Sequence, residues 1–292
     1  MNAQHNIWVV GGDRRQTELA RLLAEDGHTV FTYALGDTVF APAARADTLE
    51  EIACADWVVF PLPVASGDDL LHAPLTPEQH TLAHIFAHLS PRQFLCGGRI
   101  APAVQSLALA HGLSLHDYYA REELAVANAV PTAEGAIQLA MEHLPITIHG
   151  ARVLVTGFGR VGRITAQRFS ALGAKVSVAA RRPDQLAWAQ AMGLDSFPLR
   201  DLTSRLHQFD VVINTVPAPI LGARELAVMP ETCPILELAS RPGGVDETAA
   251  AALGRTVIRA PALPGRVAPV TAAAAIKQTL SHMWNERMDH GT

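Results

Sequence analysis

Short runs of apolar residues alternate along this chain with longer segments whose apolar positions follow a helical period. In the first such segment, Leu19, Leu22 and Leu23 fall on one helical face. Strands that alternate with helices predict βαβ units and a parallel sheet. In the first half, the pattern predicts strands at 7–10, 29–33, 55–63, 93–96 and 113–116, and further helices at 77–89 and 102–111.

The second half repeats this rhythm after a long helical pattern at 121–144. Pro131 interrupts that pattern, and because proline lacks a backbone donor we expect the helix to break or restart there. The pattern predicts a last helix at 271–287, which either caps the second half or packs back on the first. The predicted strands of the second half lie at 152–156, 175–180, 210–215, 234–238 and 256–260.

These elements predict an α/β protein with two Rossmann-like parallel-sheet domains. Residues 1–130 form a flavodoxin-like domain for substrate and catalysis, to which the helix within 271–292 is added if it packs there. Residues 131–270 form an NAD(P)-binding domain. The length of 292 residues and the 49% hydrophobic content supply enough apolar side chains for two cores.

Charge and composition exclude several classes of function. The net charge of −5 gives no attraction to nucleic acid or to an anionic membrane, and aromatic residues, at 5%, are too few for a base-stacking surface. No apolar run is long enough to span a bilayer, and the polar N-terminus lacks a signal-peptide pattern. The three cysteines are far apart and form no metal or redox motif, which is typical of a cytoplasmic protein.

A glycine pattern follows the strand that opens the second domain. Gly157, Gly159 and Gly162 form Gly-x-Gly-x-x-Gly, with Arg160 and Val161 completing the turn before a helix. In this context the glycines allow a tight turn, a close approach of pyrophosphate and close helix packing, and the helix start faces the phosphates. The pattern predicts a nicotinamide dinucleotide site. The alternative is a domain that kept the turn and lost the ligand.

The next strand bears on which dinucleotide binds. An NAD site usually has an acid about 20 residues after the glycines, for the ribose hydroxyl. Here Arg181 and Arg182 follow Ala180, and arginine suits a 2′-phosphate. We therefore predict NADP, with NAD as the alternative, in which the arginines are ordinary surface charges.

Polar groups follow several other predicted strands, where ligands of open α/β sheets bind. The turn of Thr215, Val216 and Pro217 is predicted to flank the cofactor, or else to be only rigid. Ser240 and Arg241 combine a hydroxyl, a cation and nearby glycine amides, a set that suits a substrate carboxylate, unless this is a surface turn with a solvated arginine.

Two further sets of residues complete the predicted substrate site. Arg266 supplies a second cation from a neighbouring loop, and two such arginines suit a dicarboxylate. Asp13, Arg14 and Gln16 lie at the glycine turn of the first domain, where substrate binding competes with helix capping by Asp13.

We predict no metal site. His80, His84 and His88 are spaced to share one helical face, but no further ligand cluster accompanies them.

Several motifs together resemble one known family. The most specific are Ala-Ser-Arg-Pro-Gly-Gly at 239–244 and Leu-Pro-Gly-Arg-Val-Ala-Pro at 263–269, and others lie at 10–16, 131–135, 147–150, 157–162 and 214–217. Over nearly its whole length the chain resembles the dipicolinate synthase A-subunit family of spore-forming bacteria. The domain layout also resembles that of D-2-hydroxyacid dehydrogenases, although the catalytic histidine of those enzymes has no match here.

The resemblance implies NADP-dependent oxidation of a dihydrodipicolinate-type precursor to dipicolinate (pyridine-2,6-dicarboxylate) during sporulation. It implies that the partner is the flavoprotein-like B subunit of dipicolinate synthase, that the substrate is a small dicarboxylate, and that the location is the mother-cell cytoplasm. We also expect a homo-oligomer. Two alternatives stay open: a non-catalytic, cofactor-binding partner of the B subunit, and a D-2-hydroxyacid-type dehydrogenase.

Overall fold

A computed structural model describes residues 4–37 and 41–290 of the chain. These residues fall into two compact units. Unit 1 consists of the described residues up to Ala127 and from Ala268 onward, and unit 2 is Asn128–Val267. The sequence placed the domain boundaries after residues 130 and 270.

Unit 1 is built on a parallel sheet whose strand order is β3-β2-β1-β4-β5-β6. Without β3, which has only two residues, the remaining strands have the flavodoxin-like order. The strands are β1 (Asn6–Val10), β2 (Thr29–Tyr33), β3 (Ala44–Arg45), β4 (Trp57–Val59), β5 (Phe94–Gly97) and β6 (Leu115–Asp117).

Helices cover the unit 1 sheet, and the last helix of the chain is one of them. They are α1 (Arg14–Glu25), α2 (Leu82–Phe86), α3 (Pro102–Ala110), the start of α4 (Glu122–His143), and α11 (Pro269–His290). Ile276 and Leu280 of α11 share a buried cluster with Leu19 and Leu23 of α1. An ion pair of 2.6 Å between Lys277 Nζ and Asp26 Oδ2 joins the same helices, so α11 belongs to the first unit.

Unit 2 has a second parallel sheet, in the order β12-β11-β10-β7-β8-β9. The order of successive strands reverses between β7 and β10: β8 and β9 extend the sheet on one side of β7, and β10 to β12 extend it on the other. This is the switch point at which doubly wound sheets bind ligands. The strands are β7 (Arg152–Thr156), β8 (Lys175–Ala180), β9 (Asp195–Pro198), β10 (Val211–Asn214), β11 (Ile235–Glu237) and β12 (Val257–Arg259).

Both faces of the unit 2 sheet are covered, as a parallel sheet requires. Along β7, Val153 and Val155 enter one buried cluster and Leu154 enters another on the opposite face, as the period of two dictates. The remaining helices are α5 (Arg160–Ala171), α6 (Pro183–Ala191), α7 (Leu202–Arg205), α8 (Ala223–Ala227), α9 (Glu247–Ala252) and α10 (Leu263–Val267). Short 3₁₀ turns lie at Ile52–Cys54, Tyr118–Ala120, Leu199–Asp201 and Leu206–Gln208.

The expectation that Pro131 breaks the connecting helix is wrong. Helix α4 runs from Glu122 to His143 with Pro131 inside it. A proline in a helix interior costs about 3 kcal/mol. Burial of Ala129, Ala133 and Ala136 around the proline offsets that cost.

The helix predicted at 77–89 is also wrong in extent, because α2 covers only Leu82–Phe86. Residues 77–81 form bends and an isolated bridge at Thr81 instead of a helix, and the Leu71 amide donates to the His80 carbonyl at 2.9 Å. His80 lies before α2 and His88 lies after it, so the histidines at 80, 84 and 88 do not all share one helical face. His80 Nδ1 is hydrogen-bonded to the Tyr33 hydroxyl at 3.1 Å.

Within the described residues, no helix combines the length and the apolar character needed to cross a membrane.

Candidate functional site

The glycine turn between β7 and α5 has the geometry of a phosphate-binding turn. Gly157 has φ +85°, which a side chain disfavours, and a Cβ on Gly162 would overlap the Gly157 carbonyl oxygen. A Cβ on Gly159, by contrast, would meet open space among the described residues. Gly159 is the N-cap of α5 and gives it no side-chain cap, so the first amides of the helix are available to an anion.

Arg163, which the sequence analysis did not select, ties this turn to α6. Its Nε donates to the Phe158 carbonyl at 3.2 Å, and its guanidinium lies 5.4 Å from the Trp188 ring centroid. Trp188 is 55% exposed although it is a large aromatic residue. No local sequence signal marks this contact, because it joins two helices that are far apart in sequence.

Arg181 and Arg182 follow β8, and both side chains are exposed. They differ in their partners. Arg182 donates to Asp184 Oδ2 at 2.8 Å. In the part of the chain that the structure describes, Arg181 has no carboxylate partner and is the guanidinium available to a ligand.

A buried polar network, also missed from the sequence, connects the ends of three strands. Asn214 Oδ1 accepts from the Thr156 hydroxyl at 2.6 Å, and Asn214 Nδ2 donates to Glu237 Oε1 at 2.8 Å. These residues end β7, β10 and β11, and none is more than 2% exposed. The network therefore lies inside the carboxyl edge of the sheet, directly below the candidate site.

The turn at 215–217 packs beside the glycine turn. Thr215 Oγ1 donates to the Thr156 carbonyl at 2.8 Å, and a Cβ on Gly157 would lie 2.7 Å from that hydroxyl oxygen. The Val216 amide donates to Asn214 Oδ1 at 3.1 Å, and Pro217 is exposed. The structure thus brings together two of the sequence-predicted cofactor segments.

The loop that follows β11, residues 239–245, packs against the same network. A Cβ on Gly244 would overlap Asn214 Nδ2, so the loop approaches more closely than any side chain allows. Ser240 and Arg241 are exposed, whereas Gly243 and Gly244 are buried. The loop therefore presents a hydroxyl and a cation outward while its glycines face the network.

Arg266 is exposed, as a ligand-binding cation must be, but its setting differs from the prediction. It lies in the short helix α10 rather than in a loop. Arg259, which the sequence analysis did not select, ends β12 and pairs with Glu247 of α9. Among the described residues, no hydrogen bond joins Arg266 to the network of Thr156, Asn214 and Glu237.

In unit 1, the turn before α1 is organised around Arg15 rather than Arg14. Asp13 caps α1 by accepting from the Arg15 amide at 3.0 Å, and its carboxylate also receives the Arg15 guanidinium at 2.8 Å. Arg15 is 4% exposed and donates onward to the Leu62 carbonyl at 2.7 Å. The carboxylate of Asp13 thus has a structural role, whatever else it binds.

Burial opposes ionisation of Asp13, but the bonds and charge of Arg15 outweigh burial and hold its pKa below the ordinary value. Arg14 is exposed. Gln16 is buried, and its Oε1 has no hydrogen-bond partner within the described residues.

Comparisons with known proteins agree with this division into an N-terminal domain and a cofactor domain. Residues 6–119 match the family model described as the N-terminal domain of the dipicolinate synthase A subunit. Residues 119–263 match the model described as the D-isomer specific 2-hydroxyacid dehydrogenase, NAD binding domain. The chain is 34% identical over 285 residues to the dipicolinate synthase A subunit of Bacillus subtilis (strain 168), and the match covers 96% of each chain. The chain belongs to the dipicolinate synthase A-subunit family.

Solved structures support both the family and the fold. The crystal structure of the dipicolinate synthase A chain from Bacillus subtilis superposes with a TM-score of 0.87 at 33% identity and covers 99% of each chain. The D-isomer specific 2-hydroxyacid dehydrogenase of Lactobacillus delbrueckii ssp. bulgaricus, in its NAD-complexed form, has a TM-score of 0.56 at 14% identity over 97% of each chain. This second likeness shows the fold alone.

Family membership and the matched cofactor domain show that the chain is an oxidoreductase that uses a nicotinamide cofactor. The predicted fold class, two Rossmann-like parallel sheets in the layout of D-2-hydroxyacid dehydrogenases, is confirmed.

Proposed function

We propose that this chain is the A subunit of a dipicolinate synthase and oxidises a dihydrodipicolinate-type precursor to dipicolinate with NADP⁺. One observation carries the proposal. The glycine turn at 157–162 and the 239–245 loop, which bears Ser240 and Arg241, are held at one sheet edge by the buried network of Thr156, Asn214 and Glu237. A phosphate-binding turn beside an exposed cation is the arrangement that oxidation of an anionic substrate requires.

The cofactor would be held by residues whose geometry fits it. Open space at Gly159 and the uncapped start of α5 fit the pyrophosphate, with Arg160, Val161 and Gly162 forming the first turn of the helix. Thr215, Val216 and Pro217 would flank the nicotinamide half.

The 2′-phosphate would be bound by Arg181. Arg182 would contribute less, because Asp184 already accepts one of its donors. A phosphate receives charge-assisted hydrogen bonds from a guanidinium, whereas the ribose hydroxyl of NAD offers no comparable charge. This preference for NADP over NAD rests on the absence of an acid at the end of β8 and on the exposure of Arg181.

The substrate carboxylates would be bound by Ser240, Arg241 and Arg266, all of which are exposed beyond the carboxyl ends of their strands. The turn of Asp13, Arg14 and Gln16 in unit 1 stays a separate prediction, with Arg14 as its exposed cation. When bound, the nicotinamide cofactor would supply the hydride acceptor, and the substrate ring would become aromatic by losing a hydride to it and a proton to water. The residues of this chain would orient the substrate ring and balance the negative charge of its carboxylates.

Family membership also supports association with a B subunit, together with a role in sporulation in the cytoplasm of the mother cell. The predicted homo-oligomer stays a prediction.

The test is NADPH formation by the purified chain. A freshly generated dihydrodipicolinate precursor is offered with NADP⁺ or NAD⁺, with the B subunit present or omitted. Turnover by the chain alone, faster with NADP⁺, supports the proposal. Turnover only when the B subunit is present would show that catalysis requires the complex and is not carried out by this chain alone. Oxidation of small D-2-hydroxy acids in place of the precursor contradicts the proposed substrate.

A further inference from the structure

Glu237 is a buried carboxylate at the end of β11 for which the proposed chemistry has no direct use. It is 2% exposed, yet no cation pairs with it within the described residues. Instead it accepts four hydrogen bonds, all from neutral donors. Oε1 accepts from Asn214 Nδ2 at 2.8 Å and from the Ala239 amide at 3.1 Å. Oε2 accepts from the amides of Gly244 at 2.9 Å and Val245 at 3.2 Å.

These bonds hold both ends of the 239–245 loop. The amides of Ala239, Gly244 and Val245 belong to the loop, so one side chain fixes where the loop leaves the strand and where it returns. Gly243 has φ +87°, and the position of its missing Cβ lies 3.2 Å from Glu237 Oε2. Glycine at 243 thus lets the backbone approach the carboxylate, and at 244 a Cβ would lie 2.4 Å from Asn214 Nδ2.

The remaining partner, Asn214, can face Glu237 in only one way. Its Oδ1 is taken by donors, the Thr156 hydroxyl at 2.6 Å and the Val216 amide at 3.1 Å. Its Nδ2 must therefore point to Glu237, which needs to be an acceptor at both oxygens. A carboxylate meets that need, and an amide does not, because one end of an amide carries hydrogens.

We propose that Glu237 is the positioning residue of the 239–245 loop, holding Ser240 and Arg241 where they bind the substrate carboxylate and tying that loop to the cofactor turn through Asn214. This inference rests on the proposed function for the identity of the substrate. Glu237 itself touches neither ligand in this role. It acts through the loop backbone.

The test compares Glu237→Gln with Glu231→Gln in the full chain. Glutamine is nearly isosteric with glutamate, but its side-chain NH₂ group would replace one of the accepting oxygens and face the N–H donors that bind there. Glu231 lies in an exposed turn shortly before β11 and supplies the same chemical change away from the network. Amide hydrogen exchange, the Kd of NADP⁺, and kcat and KM for the precursor are measured for both variants and the wild type, at a temperature where all are folded.

In Glu237→Gln we expect faster exchange at the amides of 239, 244 and 245, with the glycine turn at 157–162 unchanged. The value of kcat/KM for the precursor falls by about 100-fold, since a misplacement of about 1 Å has that effect. The Kd of NADP⁺ stays within about twofold, because the Thr156–Asn214 bond remains. Glu231→Gln behaves like the wild type in every measurement.

A purely structural role would lower the thermal stability of Glu237→Gln and leave kcat/KM of the folded protein at the wild-type value, which overturns the inference. Equal loss of NADP⁺ binding and of turnover overturns it too, since the residue would then support the whole sheet edge. If the wild type itself does not oxidise the precursor, the proposed function fails. The exchange rates at 239, 244 and 245 then decide the inference, and unchanged rates reject it.

Discussion

Arg181 and Arg182 are adjacent and both exposed, yet Arg182 pairs with Asp184 at 2.8 Å and Arg181 pairs with no carboxylate of the described residues. At the residue scale this difference favours Arg181 as the contact for the 2′-phosphate in the proposed NADP site, although the two arginines are alike in sequence. A guanidinium already held by a carboxylate must give up that bond to bind a phosphate fully.

Arg181→Ala is therefore expected to weaken NADP⁺ binding and to spare NAD⁺. A hydrogen bond to a charged group contributes about 1.5–3 kcal/mol to binding, which corresponds to about a 10- to 150-fold rise in Kd when it is lost. Titration of each variant with both cofactors measures this. Arg182→Ala is the matched control, with a smaller effect on NADP⁺. Wild-type affinity for NADP⁺ in Arg181→Ala would contradict the assignment.

Sequence reasoning finds residues whose roles are local. The turn conformation at Gly157 and the close packing at Gly162 follow from a pattern six residues long, and the structure has both. Their binding role stays a prediction. Glu237 and Arg163 were missed because their partners lie far along the chain: Asn214 precedes Glu237 by 23 residues, and only the pairing of β10 with β11 brings them together.

At the scale of elements, helix α1 depends on the ion pair at its start. Asp13→Ala removes the N-cap and leaves Arg15 buried without its carboxylate. Removing one partner of a buried pair costs about 3–5 kcal/mol, so we expect a loss of about 3 kcal/mol in the free energy of unfolding of unit 1. Urea unfolding measures this. Asp13→Asn retains a capping side chain and isolates the loss of charge.

The ion pair of Asp13 and Arg15 also makes the stability of helix α1 depend on pH. The pKa of Asp13 is lower in the folded than in the unfolded chain. Ionised Asp13 therefore contributes fully to the free energy of unfolding above its unfolded-state pKa, near 3.9, and this contribution is lost as the pH falls through its folded-state pKa. The stability difference between the wild type and Asp13→Asn should stay constant from about pH 7 to 5 and shrink below about pH 4. If the stability difference between the wild type and Asp13→Asn grew as the pH fell, the ion pair of Asp13 and Arg15 would not be the cause of the pH dependence.

Most elements were predictable from hydrophobic period, and those that were not have a tertiary cause. The strands at 29–33 and 175–180 were predicted at their observed bounds, because both are short segments rich in β-branched, aromatic and other apolar residues between polar turns. The strand at Asp195–Pro198 was missed, since it lies at the sheet edge and carries few apolar residues. Helix α4 continues through Pro131 because packing of its neighbours outweighs a local rule.

At the scale of the whole molecule, each unit has its own sheet and its own buried clusters. The alternation of strands and helices predicts parallel sheets, but the strand order does not follow from it. The order decides where the switch point falls, and in unit 2 it places the end of β7 beside the end of β10. The site was therefore predictable as a set of turns and not as a connected network.

Separate cores imply that a ligand of unit 2 stabilises that unit more than unit 1. A ligand at 100 times its Kd adds about 2.7 kcal/mol to the state that binds it. NADP⁺ at that excess should slow amide exchange in β7 and β10, while the amides of β1 change less, because we expect units with separate cores to open separately. NAD⁺ at the same concentration should protect β7 less, because it lacks the phosphate for Arg181.

Equal protection of β1 and β7 would show that the two units open as one. Equal protection of β7 by both cofactors would show that Arg181 does not contact the 2′-phosphate.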